Sequence, residues 1–267
     1  MSIKLVAIDI DGTLLNENNE LTQRTIDAIQ AAKAKGVKVV LTTGRPLTGV
    51  TPYLKALGLE GDDQYVITFN GALAQTVSGK VLTKETISYD DYRDIEALSH
   101  DLDVNFHVED EELIYTAHPL IPKYSIAESF LVLMQIKYVP VPEMVTKDYS
   151  KAMMIDEKDV IDRVEKAVPA EFHDRFYIVR STPFFLEFMN KDASKGNALS
   201  ALSKKLGIQQ DEVMSLGDQG NDMTMIKWAG LGVAMGNAID EIKAAANEIT
   251  APNSEDGVAQ AIEKYVL

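Results

Sequence analysis

Cysteine is absent from the 267-residue chain. That excludes disulfides and thiolate–metal sites, and it allows a reducing compartment. Positive charge is scarce. The 26 Lys and Arg residues face 41 Asp and Glu, for a formal net charge of −15. Such a balance argues against nucleic acid and anionic membranes as partners, and an anionic substrate would need a local positive patch. Long apolar runs are missing as well. None approaches the roughly 18 residues of a membrane span, and the first is cut by Asp9, unlike the core of a signal peptide. No GxxxxGK[ST] loop is present, which argues against a P-loop NTPase. There is no internal repeat and no low-complexity segment. The expectation is a cytoplasmic protein, monomeric or a small homo-oligomer. What is present, 46% hydrophobic and 25% charged residues, is the make-up of a globular protein of one large domain or two ordinary ones.

The order of elements predicts an α/β fold. Residues 3–9 form a short apolar run of strand length. A helix follows from Thr22 to Lys35, with Ile26 and Ile29 at helical spacing, Thr22 as N-cap and Gly36 as stop. "VKVVLTTGRP" is a second strand, a helix runs to Leu57, and "YVITF" is a third strand. Solid apolar strands separated by helices point to βαβ units and a parallel sheet covered on both faces. Near residue 70 the rhythm changes: Asn70-Gly71 and Ser78-Gly79 carry hairpin chemistry. A helix from Ser88, the strands "VNFHV" and "LIYTA" and a proline-containing stretch come next. After "FFLEFM" the α/β rhythm returns, with a helix from Ser194 to Leu206, the strand "EVMSLGD", a helix near Met223, the strand "LGVAM" and a last helix from Glu255. The chain therefore reads as one α/β domain, residues 1–83 and 188–267, interrupted by an inserted domain, residues 84–187.

Polar residues gather where ligands bind in open α/β sheets, at the carboxyl ends of strands. Asp9 and Asp11 follow the first strand. Thr43, Gly44 and Arg45 follow the second, and Asn70 and Gly71 the third. Gly217, Asp218, Asn221 and Asp222 follow "EVMSL", and Lys195 opens a helix just after the insert. Asp9 and Asp11 pose a physical problem. Burying an ionised carboxylate costs several kcal/mol unless it is compensated, and neighbouring carboxylates repel. A hard, oxygen-ligated cation among Asp9, Asp11 and Asp218 resolves it. Mg²⁺, which keeps water and phosphate in its shell, suits so small a donor set. Lys195 and the amides of a glycine-containing loop can hold phosphate beside it.

In this order, "DIDGT", "TTGR", a lone Lys before a helix and "GDQGND" resemble the four motifs of the haloacid dehalogenase-like (HAD) phosphatases. The insert resembles their C2-type cap, and nearly the whole chain is similar to the Cof-type, YidA-like sugar phosphatases. The resemblance implies a Rossmann-like HAD core with an α+β cap. It implies a Mg²⁺-dependent hydrolase of small phosphorylated metabolites, sugar phosphates first, acting through an aspartyl-phosphate. It makes Asp9 the nucleophile and a metal ligand, Asp11 the general acid/base with its backbone carbonyl on the metal, and Asp218 the third ligand. Thr43, Gly44, Lys195, Asn221 and the Ile10 amide become the phosphate grip. Asp222 orients Lys195 or a metal-bound water, and Arg45 and Asn70 are helpers. Rival readings are a phosphatase of nucleotide or vitamin phosphates, a HAD-type phosphomutase, a glycosyltransferase using "DID" as its metal motif, and a non-catalytic sensor.

Plainer roles are expected elsewhere. Asp110–Glu112 reads as a solvated turn, Asp90 and Asp91 as first-turn acids favoured by the helix dipole, and Met153 and Met154 as core. His100, His118 and His173 read as surface or satisfied residues. In "VNFHVE" the polar face of Asn105, His107 and Glu109 must look at water or at the catalytic cleft.

Overall fold

The computed structural model describes residues 2–267. The chain divides into two compact units, one made of residues 1–84 and 194–267, the other of Glu85–Ala193. The first unit opens with β1 (Leu5–Asp9), α1 (Gln23–Ala34), β2 (Lys38–Thr42), α2 (Leu47–Ala56), β3 (Tyr65–Thr68), β4 (Leu73–Thr76) and β5 (Val81–Lys84). The second unit holds α3 (Tyr89–Asp101), β6 (Phe106–Glu109), β7 (Leu113–Thr116), α4 (Lys123–Val132), β8 (Gln135–Tyr138), β9 (Lys151–Ile155), α5 (Lys158–Ala167), α6 (Ala170–Arg175), β10 (Phe176–Thr182) and β11 (Phe185–Asn190). The chain then returns to the first unit with α7 (Lys195–Leu206), β12 (Val213–Gly217), α8 (Met223–Trp228), β13 (Leu231–Ala234), α9 (Asp240–Ala245), β14 (Glu248–Ile249) and α10 (Gly257–Tyr265).

The first unit's sheet has eight strands in the order β14-β13-β12-β1-β2-β3-β4-β5. It is parallel from β14 to β3, and β4 and β5 add antiparallel hairpins. Its strands are apolar at successive positions because both faces are covered. Val6 and Ile8 pack with Ile29 of α1 and Ile262 of α10, whereas Leu5 and Ala7 pack with Leu199 and Leu202 of α7. In α1, Thr25, Ala28, Ile29 and Ala32 form the buried stripe, at i, i+3, i+4 and i+7. Thr22 caps this helix, its hydroxyl accepting from the Thr25 amide, and Ser194 caps α7 in the same way through Asn197. The last helix begins at Gly257, because Asn253–Glu255 form a separate tight turn.

The second unit has a six-stranded sheet, β10-β11-β9-β6-β7-β8, antiparallel except for β7 and β8. Strand β11 pairs with β9 and β10, so a boundary at 187 would cut through it, and the unit runs on to Ala193. On one face Phe106, Val108, Met154 and Phe188 pack against Tyr92, Ile95, Ile161 and Val164 of α3 and α5. The other face carries His107, Glu109, Lys151 and Glu187, all buried. Helix α4 contributes Ser125 and Glu128 to this layer: His107 Nδ1 lies 3.1 Å from Ser125 Oγ, and Lys151 Nζ lies 3.4 Å from Glu128 Oε1.

Two expectations are corrected here. His107 faces neither water nor a cleft; it is packed between Ser125 and Met153. Asp110 is not solvated. Its carboxylate accepts from the Glu112 and Leu113 amides, Tyr115 and Lys147, a local turn bond that tightens the β6–β7 connection. Asp91 does more than meet the helix dipole: it closes a capping box with Ser88 and pairs with Arg175. Met153 and Met154 are core, and the exposed His100 rests on Glu96 and stacks on His118. No helix among the described residues is long and apolar enough to cross a membrane.

Candidate active site

The site lies in the first unit, at the carboxyl ends of β1, β2, β3 and β12. Asp9 is the last residue of β1, and the chain then makes one wide turn closed by Leu15 N donating to Ile10 O at 3.1 Å. Gly12 sits in this turn at φ +83°, and a Cβ there would lie 2.5 Å from Asp218 Oδ2. Only glycine combines that backbone with so close an approach. Thr13 follows and donates to Asp218 Oδ1 at 2.9 Å. One short turn thus both ends β1 and holds an acid from β12.

Lys195, the first residue of α7, is fully buried. Its Nζ donates to Asp9 Oδ1 at 2.5 Å and to Asp222 Oδ1 at 2.6 Å. The other oxygen of Asp222 accepts from the Asp218 and Gln219 amides at 2.9 and 3.0 Å. Carboxylate oxygens of Asp9, Asp218 and Asp222 all lie within 4.8 Å of one another, and all three residues are buried. Three buried acids are therefore gathered beside one ammonium, which bonds two of them.

The protonation shifts follow from that excess of negative charge. Burial, reinforced by Asp222 and opposed by Lys195, pushes the Asp9 carboxyl well above its ordinary range. Burial raises Asp218 too, against the Thr13 hydrogen bond. Burial alone would depress the Lys195 ammonium, but Asp222 and Asp9 reverse this and hold it above its usual value. An all-oxygen donor set with surplus negative charge is the chemistry of a hard divalent cation site, so these residues fit one. Asp11 is not among the converging carboxylates. Its side chain turns to Arg45, whose Nε and Nη2 donate to its two oxygens at 3.0 and 2.5 Å.

The ends of β2 and β3 complete the site. Thr43 N donates to Ile67 O, and Thr43 O accepts from Asn70 N, each at 2.9 Å. The Thr43 hydroxyl accepts from Arg45 N at 3.1 Å and keeps its own hydrogen to donate. Gly44 lies against the Asn70 amide, to which a Cβ would come within 3.2 Å. Phe69 and Asn70 both have left-handed backbone, φ 50° and 54°, which is uncommon for a bulky residue such as Phe. The strained turn brings Asn70 Oδ1 within 3.1 Å of Asn221 Nδ2. Gly71 passes so close to α7 that a Cβ would meet Ser194 O at 2.1 Å.

The structure thus gathers Asp9, Lys195, Asp218 and Asp222 into one cluster, links Asn221 to Asn70 and Thr43, and pairs Asp11 with Arg45. The role of Asp222 as a full member of the acid trio was only half visible in sequence. Its place four residues after Asp218, at the start of a helix, is the signal that could have revealed it.

Comparison with known proteins agrees with this architecture. The sequence profile of the haloacid dehalogenase-like hydrolases matches residues 6–262, and the chain belongs to that family. A Streptococcus pyogenes protein named "putative phosphatase" is 48% identical over 268 residues, covering all of both chains. A haloacid dehalogenase-like hydrolase from Bacteroides thetaiotaomicron has the same fold, with a TM-score of 0.88 and 30% identity over 98% of this chain and 99% of that one. A solved HAD subclass IIB sugar phosphatase gives a TM-score of 0.79 and 28% identity over 98% of each chain.

Proposed function

We propose that this protein is a Mg²⁺-dependent phosphatase of small phosphorylated metabolites, sugar phosphates foremost, working through an aspartyl-phosphate on Asp9. The observation that carries the reading is the buried Asp9 carboxylate, tied to Lys195 and flanked by Asp218 and Asp222. The subclass IIB sugar phosphatase among the structural relatives supports the substrate class.

The roles follow from position. Asp9, Asp218 and the Asp11 carbonyl would hold Mg²⁺, which when bound neutralises the carboxylate excess and the charge of the phosphoryl group. Lys195, the Thr43 hydroxyl, the Ile10 and Gly44 amides and the Asn221 amide grip the phosphate. Asp222 orients Lys195. An Asp9 oxygen bonds to phosphorus as the ester P–O bond breaks, and the leaving oxygen takes a proton from Asp11. Asp11 then takes a proton from water as that water's oxygen bonds to phosphorus. The Asp9–phosphorus bond breaks, and orthophosphate and free Asp9 are restored. A phosphomutase with the same residues would hand the phosphoryl group to a second sugar instead.

The test is a phosphate-release screen over sugar, nucleotide and vitamin phosphates. Turnover should need Mg²⁺ and vanish with EDTA, and Asp9→Asn should abolish it for every substrate. Sugar phosphates should rank highest. Activity in Asp9→Asn, or undiminished activity in EDTA, would overturn the mechanism; isomerisation without phosphate release would favour the mutase.

A further inference from the structure

Asp11 stands apart from the buried acids. Its side chain is 52% exposed, whereas that of its partner Arg45 is 16% exposed. The two meet as a fork, Nε to Oδ2 at 3.0 Å and Nη2 to Oδ1 at 2.5 Å. Arg45 is the anchored member. Its amide donates to Thr43 Oγ1 at 3.1 Å and its carbonyl accepts from Phe69 N at 3.2 Å. Its guanidinium lies over the Tyr53 ring, 5.6 Å from the centroid, with Nη1 3.4 Å from Tyr53 Oη. A half-exposed aspartate at the edge of a glycine turn would otherwise turn freely about its side-chain bonds.

Taking the phosphatase reading as its basis, we infer that Arg45 is a positioning residue that aims the Asp11 carboxylate at the leaving oxygen. A carboxylate has about four lone-pair sites. The two-point fork occupies one on each oxygen and fixes the plane of the group, which leaves the outer lone pairs in a set direction to give and receive the proton. Arginine suits this task because its fork is rigid and stays charged. Lysine would supply the charge without the plane.

The test separates action through Asp11 from direct contact with phosphate. The kcat/KM is measured on a sugar phosphate and on p-nitrophenyl phosphate for the wild type, Arg45→Met, Arg45→Lys, Asp11→Asn and the Arg45→Met/Asp11→Asn double variant. An alkoxide needs the proton and p-nitrophenolate does not. Misplacement of a catalytic group by about 1 Å can cost roughly 10²-fold, so Arg45→Met should lose about 10- to 10²-fold more on the sugar phosphate than on the aryl phosphate. Arg45→Lys should show the same imbalance, and it remains informative should Arg45→Met fail to fold. In the Asp11→Asn background Arg45→Met should cost about twofold or less. Equal losses on both substrates that multiply with those of Asp11→Asn would overturn the inference and make Arg45 a phosphate ligand. A wild type inert on every phosphate ester would instead defeat the phosphatase reading beneath it.

Discussion

Gly71 and Gly207 share a left-handed backbone, φ +100° and +70°, but differ in what surrounds them. A Cβ at Gly207 would meet nothing within 4 Å, whereas one at Gly71 would lie 2.1 Å from Ser194 O. An L-residue in this region costs about 1–2 kcal/mol by itself. Gly207→Ala should therefore lose about that much stability and keep its kcat. Gly71→Ala must also displace Ser194, the cap of α7, and with it Lys195, the buried partner of Asp9. It should lose both stability and most of its turnover. Thermal melts beside steady-state rates decide the matter; a Gly71→Ala protein with wild-type kcat would show that Lys195 does not depend on this contact.

Helix α4 buries polar residues in its middle and leaves large apolar ones outside: Ser125 and Glu128 are buried, with Val132 at its end, while Ile126, Phe130 and Leu131 are exposed. Val132 packs with Ile114 and Met134, and under Glu128 lies an ionic cluster: Lys151 Nζ lies 3.4 Å from Glu128 and 3.7 Å from both Glu109 and Glu187. Burial pushes the Glu128 carboxyl above its ordinary range, against Lys151. Burial would raise Glu109 too, but Lys151 and then His107 hold it below. Removing one partner of a buried charge cluster costs about 3–5 kcal/mol, so Lys151→Met should lose that much at neutral pH. The sign of its pH dependence is fixed. Without the ammonium Glu128 is raised further and Glu109 loses the first of the groups that hold it down against burial; a raised carboxyl stabilises below its unfolded value of about 4.3, an effect lost as pH rises. The deficit should shrink from pH 7 to pH 5 in urea titrations; a constant deficit would mean that the carboxylates find other partners. The helix also marks the limit of what the sequence displays. Apolar strands and the Thr22, Ser88 and Ser194 caps are local signals, and the alternation of sheet and helix is legible from them. The alternation in β6 likewise shows that His107 and Glu109 share a face. It cannot show what covers that face, because the cover arrives from residues 123–132, a helix that turns Ser125 and Glu128 inward. The Asp11–Arg45 fork is hidden for the same reason: its members lie 34 residues apart, at the ends of two strands.

At the scale of the molecule, an excess of acid is general as well as local. The chain carries −15 overall, and the site gathers three carboxylates with one lysine that pairs with two of them. Mg²⁺ should therefore raise the melting temperature beyond what screening does. Binding to the folded state alone adds about 2.7 kcal/mol at 100 times Kd. Sodium chloride at matched ionic strength measures the screening part. The specific part should be lost in Asp218→Asn, and equal shifts with both salts would remove the cation from the site. The sheet that carries the site also has a history in time. Its central strand β1 pairs residue for residue with β12, Leu5 opposite Val213. The second unit's strands all find their partners within Glu85–Ala193. On the ribosome, at about 5–20 residues per second, β1 waits roughly 10–40 s for β12, although β2, on its other side, follows at once. The inserted unit meanwhile has every strand it needs, so its sheet can form before the candidate site, which needs the end of β12, is complete.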